Sequence, residues 1–101
     1  MPRSISIAQL NQIMNTNPKI IDVRDPYQFA QYHLKTAVNI PYQTLVMYPE
    51  RYLNFQDIYY LICAHGGESY RACTMLEPYG YKVMSIAGGY TSMRSNMRYR
   101  Y

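Results

Sequence analysis

Apolar Leu10, Ile13 and Met14 recur at helical spacing behind Ser6-Ile7-Ala8-Gln9, which reads as a capping box: serine and glutamine satisfy each other's backbone amides. Asn17-Pro18 ends that helix. Residues 19–24, Lys-Ile-Ile-Asp-Val-Arg, are a short β-branched run of the kind that forms a buried strand. Asp25-Pro26-Tyr27-Gln28 then opens a helix, with aspartate as N-cap and proline at the first helical position. A second strand is predicted over 37–40, stopped by Pro41, and a helical segment over 45–52 that Pro49 interrupts. The third strand is 58–62. Beyond the glycines that follow, Ala72, Met75, Leu76 and Tyr79 fall at helical intervals; Gly80 lies just past the helix end and Pro78 distorts its last turn. A last strand over 83–86 leads through Ala87-Gly88-Gly89 into a short terminal helix.

Strands alternating with helices over short links imply parallel βαβ units and a sheet covered on both faces, an α/β fold. In such sheets ligands sit beyond the carboxyl ends of the strands. Cys63 and Arg24 both lie at strand ends and are expected to share a crevice, although far apart in sequence. No repeat, linker or low-complexity segment breaks the pattern.

The run Tyr59-Tyr60-Leu61-Ile62 delivers Cys63 straight into Ala64-His65-Gly66-Gly67-Glu68-Ser69, where a helix begins. Free amides and the positive dipole end at a helix N-terminus stabilise a thiolate, the nucleophilic form of cysteine. Cys63 is therefore a candidate nucleophile on an anion-binding turn; the plainer alternative is a small buried residue at a strand end. Cys73, mid-helix beside the apolar face of Ala72 and Leu76, is expected to pack. His65 either supplies a hydrogen bond or charge beside an anion, or is simply solvated. Arg71, about one turn beyond the loop, either folds back as a cation or stays exposed. Asp22 is expected to anchor backbone or pair with a cation and Arg24 to brace the loop or face the crevice, both as supports rather than reacting groups. Glu68 is either a general base for an acceptor or a solvated carboxylate, and His33 a satisfied turn residue.

Composition sharpens this only in places. At 101 residues the chain is expected to be a single domain over 1–101, with a core of about 4–93 and a short basic-aromatic tail, 94–101. Two cysteines fit neither a disulfide framework nor a four-ligand zinc site, so a reducing compartment is expected, with no metal. No apolar stretch approaches the ~20 residues that span a bilayer, and MPRSISIAQL lacks the apolar region of a signal peptide, which makes cytoplasm the default expectation and no membrane partner. A formal charge of +4 favours anionic partners without choosing among them. Thirteen tyrosines and no tryptophan hint at a contact surface. The tail interleaves arginine and tyrosine in a pattern that suits nucleic acid, but a short terminal segment is expected to fray in solvent, so nucleic acid is not the expected partner.

Three blocks together resemble the single-domain rhodaneses, the rhodanese-like sulfurtransferases. In IIDVRDPYQFAQYHLKTAVNIP, Asp22, Val23, Arg24, His33, Ala37 and Asn39-Ile40-Pro41 match; in YYLICAHGGESYRA, Cys63, Gly66 and Ser69; LEPYGYKVMSIAGGY resembles the closing Gly-Tyr, strand and Gly-Gly block. The resemblance implies a three-layer α/β/α sandwich with a five-stranded, mainly parallel sheet. It also implies that Cys63 takes sulfane sulfur from a small donor, carries it as a persulfide and passes it to a thiol or protein acceptor, with no cofactor. The amides of loop 64–69 would hold the thiolate and the terminal persulfide anion.

This chain also departs from that pattern. Family loops commonly place arginine one position before the serine; here stands Glu68, a carboxylate that would repel thiosulfate. The usual Gly-His-Ile-Pro-Gly-Ala turn has become Tyr32-His33-Leu34-Lys35-Thr36-Ala37, and the tryptophan that often follows Gly-Gly is Met93. A second reading is a rhodanese-like binding module with weak or no turnover. A cysteine phosphatase would need arginine at the sixth residue after the nucleophile, and Ser69 occupies that position.

Overall fold

The computed structural model describes residues 3–93, so the basic-aromatic tail lies outside the described residues. Five strands form one sheet: β1 (Arg3–Ile5), β2 (Lys19–Asp22), β3 (Val38–Asn39), β4 (Ile58–Ile62) and β5 (Lys82–Ile86). Their order is β1-β5-β4-β2-β3, and every pairing is parallel. Four α-helices connect them: α1 (Ile7–Ile13), α2 (Pro26–Gln31), α3 (Tyr42–Met47) and α4 (Gly67–Leu76). Among the described residues no helix is long and apolar enough to cross a membrane.

Side chains alternate across the strands and fill two cores, which makes the three layers. Ile21, Val23, Tyr59, Leu61 and Val83 pack with Leu45 of α3 and with Ala72, Cys73 and Leu76 of α4. On the other face Ile20, Ile62 and Ile86 pack with Leu10 of α1, Leu34 and Tyr90. Leu10, Leu34, Leu45 and Leu61 are fully buried, each worth about 1.5–3 kcal/mol in transfer from water.

The helix caps follow the sequence: Ser6 and Gln9 close the capping box, and the Asp25 side chain accepts from the Gln28 amide with Pro26 behind it. One strand was not foreseen, and two expectations need correction. The first strand, β1, shows no pattern of its own, because three edge residues offer no period to read. The segment expected helical over 45–52 begins earlier, at Tyr42 behind Pro41, and ends at Met47; Pro49 forces Tyr48 out of helical geometry, and Pro49–Arg51 forms a separate 3-10 turn. In α4 the buried stripe is Ser69, Ala72, Cys73 and Leu76, whereas Met75 and Tyr79 face solvent. Three- and four-residue steps from Ser69 define that stripe, and a polar residue at its head hides it from an apolar count.

Candidate functional site

β4 lies between β5 and β2, so the loops after all three strands meet at Cys63. Cys63 is nearly buried, and its Sγ receives hydrogen bonds from the backbone amides of Gly66, at 3.1 Å, and Ser69, at 3.3 Å. The Ser69 hydroxyl stands 3.5 Å from Sγ and 2.7 Å from the buried hydroxyl of Ser85. Gly66 makes this turn at φ 99°, and a Cβ there would press within 2.8 Å of the Gly88 amide nitrogen. Gly89 is equally constrained: a Cβ would lie 2.0 Å from the Cys63 carbonyl oxygen, which accepts from the Tyr90 amide. Gly66 and Gly89 thus let the β4 and β5 loops touch through their backbones. The amides of Gly67 and Glu68 belong to the first turn of α4, beyond reach of intrahelical acceptors.

A cavity of about 300 Å3 opens over the sulfur, lined by Cys63, Ala64, His65, Gly67 and Glu68 and closed by Arg24 and Gln28. Larger cavities of about 440, 350 and 340 Å3 lie elsewhere and are lined by no cysteine or histidine. Arg24 and Cys63 do share a crevice, but the guanidinium is already engaged. Nε and Nη2 donate to Asp22, the latter at 2.8 Å, and Nη2 also donates to the Tyr32 carbonyl. Asp22 further accepts from the Arg24 amide and the Tyr90 hydroxyl. Burial works against the Arg24 charge, yet the Asp22 hydrogen bonds and charge outweigh it and raise its pKa. Burial first, then the Asp22 charge, raises that of Tyr90. The guanidinium also lies 4.1 Å from the Tyr90 ring centroid.

His65 and Glu68 are exposed at the mouth. His65 Nδ1 is 2.7 Å from the Thr91 hydroxyl. Arg71 sits exposed on α4, does not line the cavity and makes no ion pair or side-chain hydrogen bond among the described residues. His33 stacks on Phe29 and bonds its carbonyl, away from the cavity. Sequence reasoning did not find Ser85, Tyr90, Thr91 or Gln28. A polar residue inside the apolar run Val83-Met84-Ser85-Ile86 was the available signal for Ser85; the others depend on contacts between distant segments.

Cys73 is completely buried. Burial, then the Glu77 charge, pushes its thiol up to about 12, so it stays protonated at neutral pH. Because the folded thiol holds its proton more tightly than the unfolded one, its contribution to stability is full below about pH 9 and is lost as pH rises toward about 12. Iodoacetamide at pH 8 is expected to label Cys63 in the folded chain and to reach Cys73 only after denaturation. Labelling of Cys73 at the same rate in both states would contradict its burial.

Comparison with known proteins bears on the family and the fold. A family model described as rhodanese-like domain covers residues 6–96. Thiosulfate sulfurtransferase 16 of Arabidopsis thaliana, a chloroplastic protein, is 27% identical over 95% of this chain and 90% of its own length. Thiosulfate sulfurtransferase GlpE of Haemophilus influenzae is 30% identical over 87% and 84%. The crystal structure of a rhodanese-related protein from Thermoplasma volcanium superposes with a TM-score of 0.83 at 27% identity, covering 93% of both chains. The chain belongs to the rhodanese-like domain family.

Proposed function

We propose that this chain is a sulfurtransferase or persulfide carrier that uses Cys63, in a reducing, cytoplasmic setting, to move sulfane sulfur from a small donor to a thiol or protein acceptor. The observation that carries the reading is the pair of amide hydrogen bonds to Cys63 Sγ from Gly66 and Ser69, beneath an open cavity. In the first half-reaction the Cys63 thiolate attacks the outer sulfur of the donor. An Sγ–S bond forms, the donor's S–S bond breaks, and its electron pair leaves with sulfite or a thiolate. The amides are placed to hold negative charge before and after that step, so little reorganisation is needed. In the second half-reaction an acceptor thiolate takes the outer sulfur and returns the electron pair to Sγ.

A sulfur-transfer assay with paired donors tests this. Thiosulfate is doubly charged, whereas a small organic persulfide carries less charge. With Arg24 committed to Asp22 and Glu68 at the mouth, the persulfide is expected to be the better donor. Glu68→Arg should raise the thiosulfate rate about 10-fold through charge at the entrance, with much less effect on the persulfide. An unchanged thiosulfate rate in a folded variant would mean that the carboxylate faces away from the donor. No transfer from either donor would leave the second reading, a binding module with weak turnover, which the engaged Arg24 and the acidic Glu68 favour.

A further inference from the structure

The hydrogen bonds that orient the His65 ring also assign its protons. Thr91 Oγ1 lies 2.9 Å from the Ala64 carbonyl oxygen and 2.7 Å from His65 Nδ1, and the Thr91 amide donates to the same carbonyl. A hydroxyl has one hydrogen, and a carbonyl only accepts. That hydrogen therefore goes to Ala64, and the 2.7 Å contact is satisfied when His65 Nδ1 donates to Thr91. In a neutral ring this tautomer leaves Nε2 as a lone-pair acceptor, with no partner among the described residues. His65 lines the cavity over Cys63, so its clamped ring borders the space that an acceptor must enter. Glu68 lines the same cavity, but among the described residues nothing orients its carboxylate.

We propose that His65 Nε2 is the general base for the acceptor, and hence that the acceptor class is a protonated thiol; this rests on Cys63 as the sulfur carrier. The acceptor's S–H proton passes to Nε2, and its sulfur attacks the outer sulfur of the Cys63 persulfide. The new S–S bond forms as the Sγ–S bond breaks, and the electron pair returns to Sγ, where the Gly66 and Ser69 amides receive it. The product leaves as a persulfide anion, and the imidazolium returns its proton to water. Thr91 is a positioning residue: it holds Nδ1 and so leaves Nε2 as the lone-pair nitrogen.

The test starts from protein loaded at Cys63, verified by peptide mass, and measures unloading to two acceptors at pH 7: an alkyl thiol, which is protonated, and an aryl thiol that is already ionised. His65→Gln is expected to lower the ratio of the alkyl rate to the aryl rate about 10²-fold. Thr91→Val should lower the same ratio by less, because the base remains while its tautomer and orientation are released. Equal slowing of both acceptors, an unchanged ratio, or a loss of ratio in Glu68→Gln instead would overturn the assignment to His65 while Cys63 stands. Failure of Cys63 to load at all would overturn both readings.

Discussion

Asp22→Ala is expected to cost about 3–5 kcal/mol of stability, the penalty for stranding a buried guanidinium. The Asp22 side chain is fully buried and that of Arg24 only 2% exposed. Losing the carboxylate removes the acceptor for Arg24 Nε, for one Nη2 contact, for the Arg24 amide and for the Tyr90 hydroxyl. A loss of this size is a large share of the 5–15 kcal/mol typical of folded domains and should lower the melting temperature by more than about 10 °C. Asp22→Leu combined with Arg24→Met should recover most of it, since removing both charges leaves no desolvated ion behind. Urea unfolding of the three proteins measures this. A loss below about 1 kcal/mol for Asp22→Ala, the scale of an exposed pair, would contradict the buried bridge.

The second large effect concerns chemistry rather than stability. Cys63→Ser leaves an atom that still accepts from the Gly66 and Ser69 amides, so the fold and its melting temperature should change little. A hydroxyl forms no persulfide, and sulfur transfer should fall by at least about 10³-fold, as when other covalent nucleophiles are removed. Transfer retained in the serine variant would move the reacting group elsewhere. Cys73 is a poor candidate for it, being completely buried and protonated.

The parts of this molecule written in local sequence could be read there. The glycine turn after Cys63, the Asp25 cap and the alternation of strand with helix each depend on neighbours a few residues apart. Asp22 was expected to anchor backbone or pair with a cation, and it does both, but its cation is Arg24, two residues on and just past the end of β2, which was expected to brace the loop or face the crevice. Their third partner was not foreseen: Tyr90 is 68 residues from Asp22 and reaches it only because the β5 loop folds over the β4 loop. The clamp on His65 spans 26 residues for the same reason. The buried stripe of α4 was partly misread because Ser69 is polar yet buried beneath the sulfur, while the apolar Met75 points outward. Arg71 illustrates the limit of spacing arguments: one turn past the loop brings a side chain near in sequence, but its direction on the helix keeps it out of the cavity.

The most direct measurement on the central proposal is mass spectrometry of the intact chain and its peptides after incubation with a sulfane donor and removal of the excess. The expected result is a gain of one sulfur atom on the peptide that carries Cys63, none on the peptide that carries Cys73, and loss of the added mass on exposure to a thiol. A chain that gains no sulfur at Cys63 from thiosulfate or from an organic persulfide, while still folded, would contradict it.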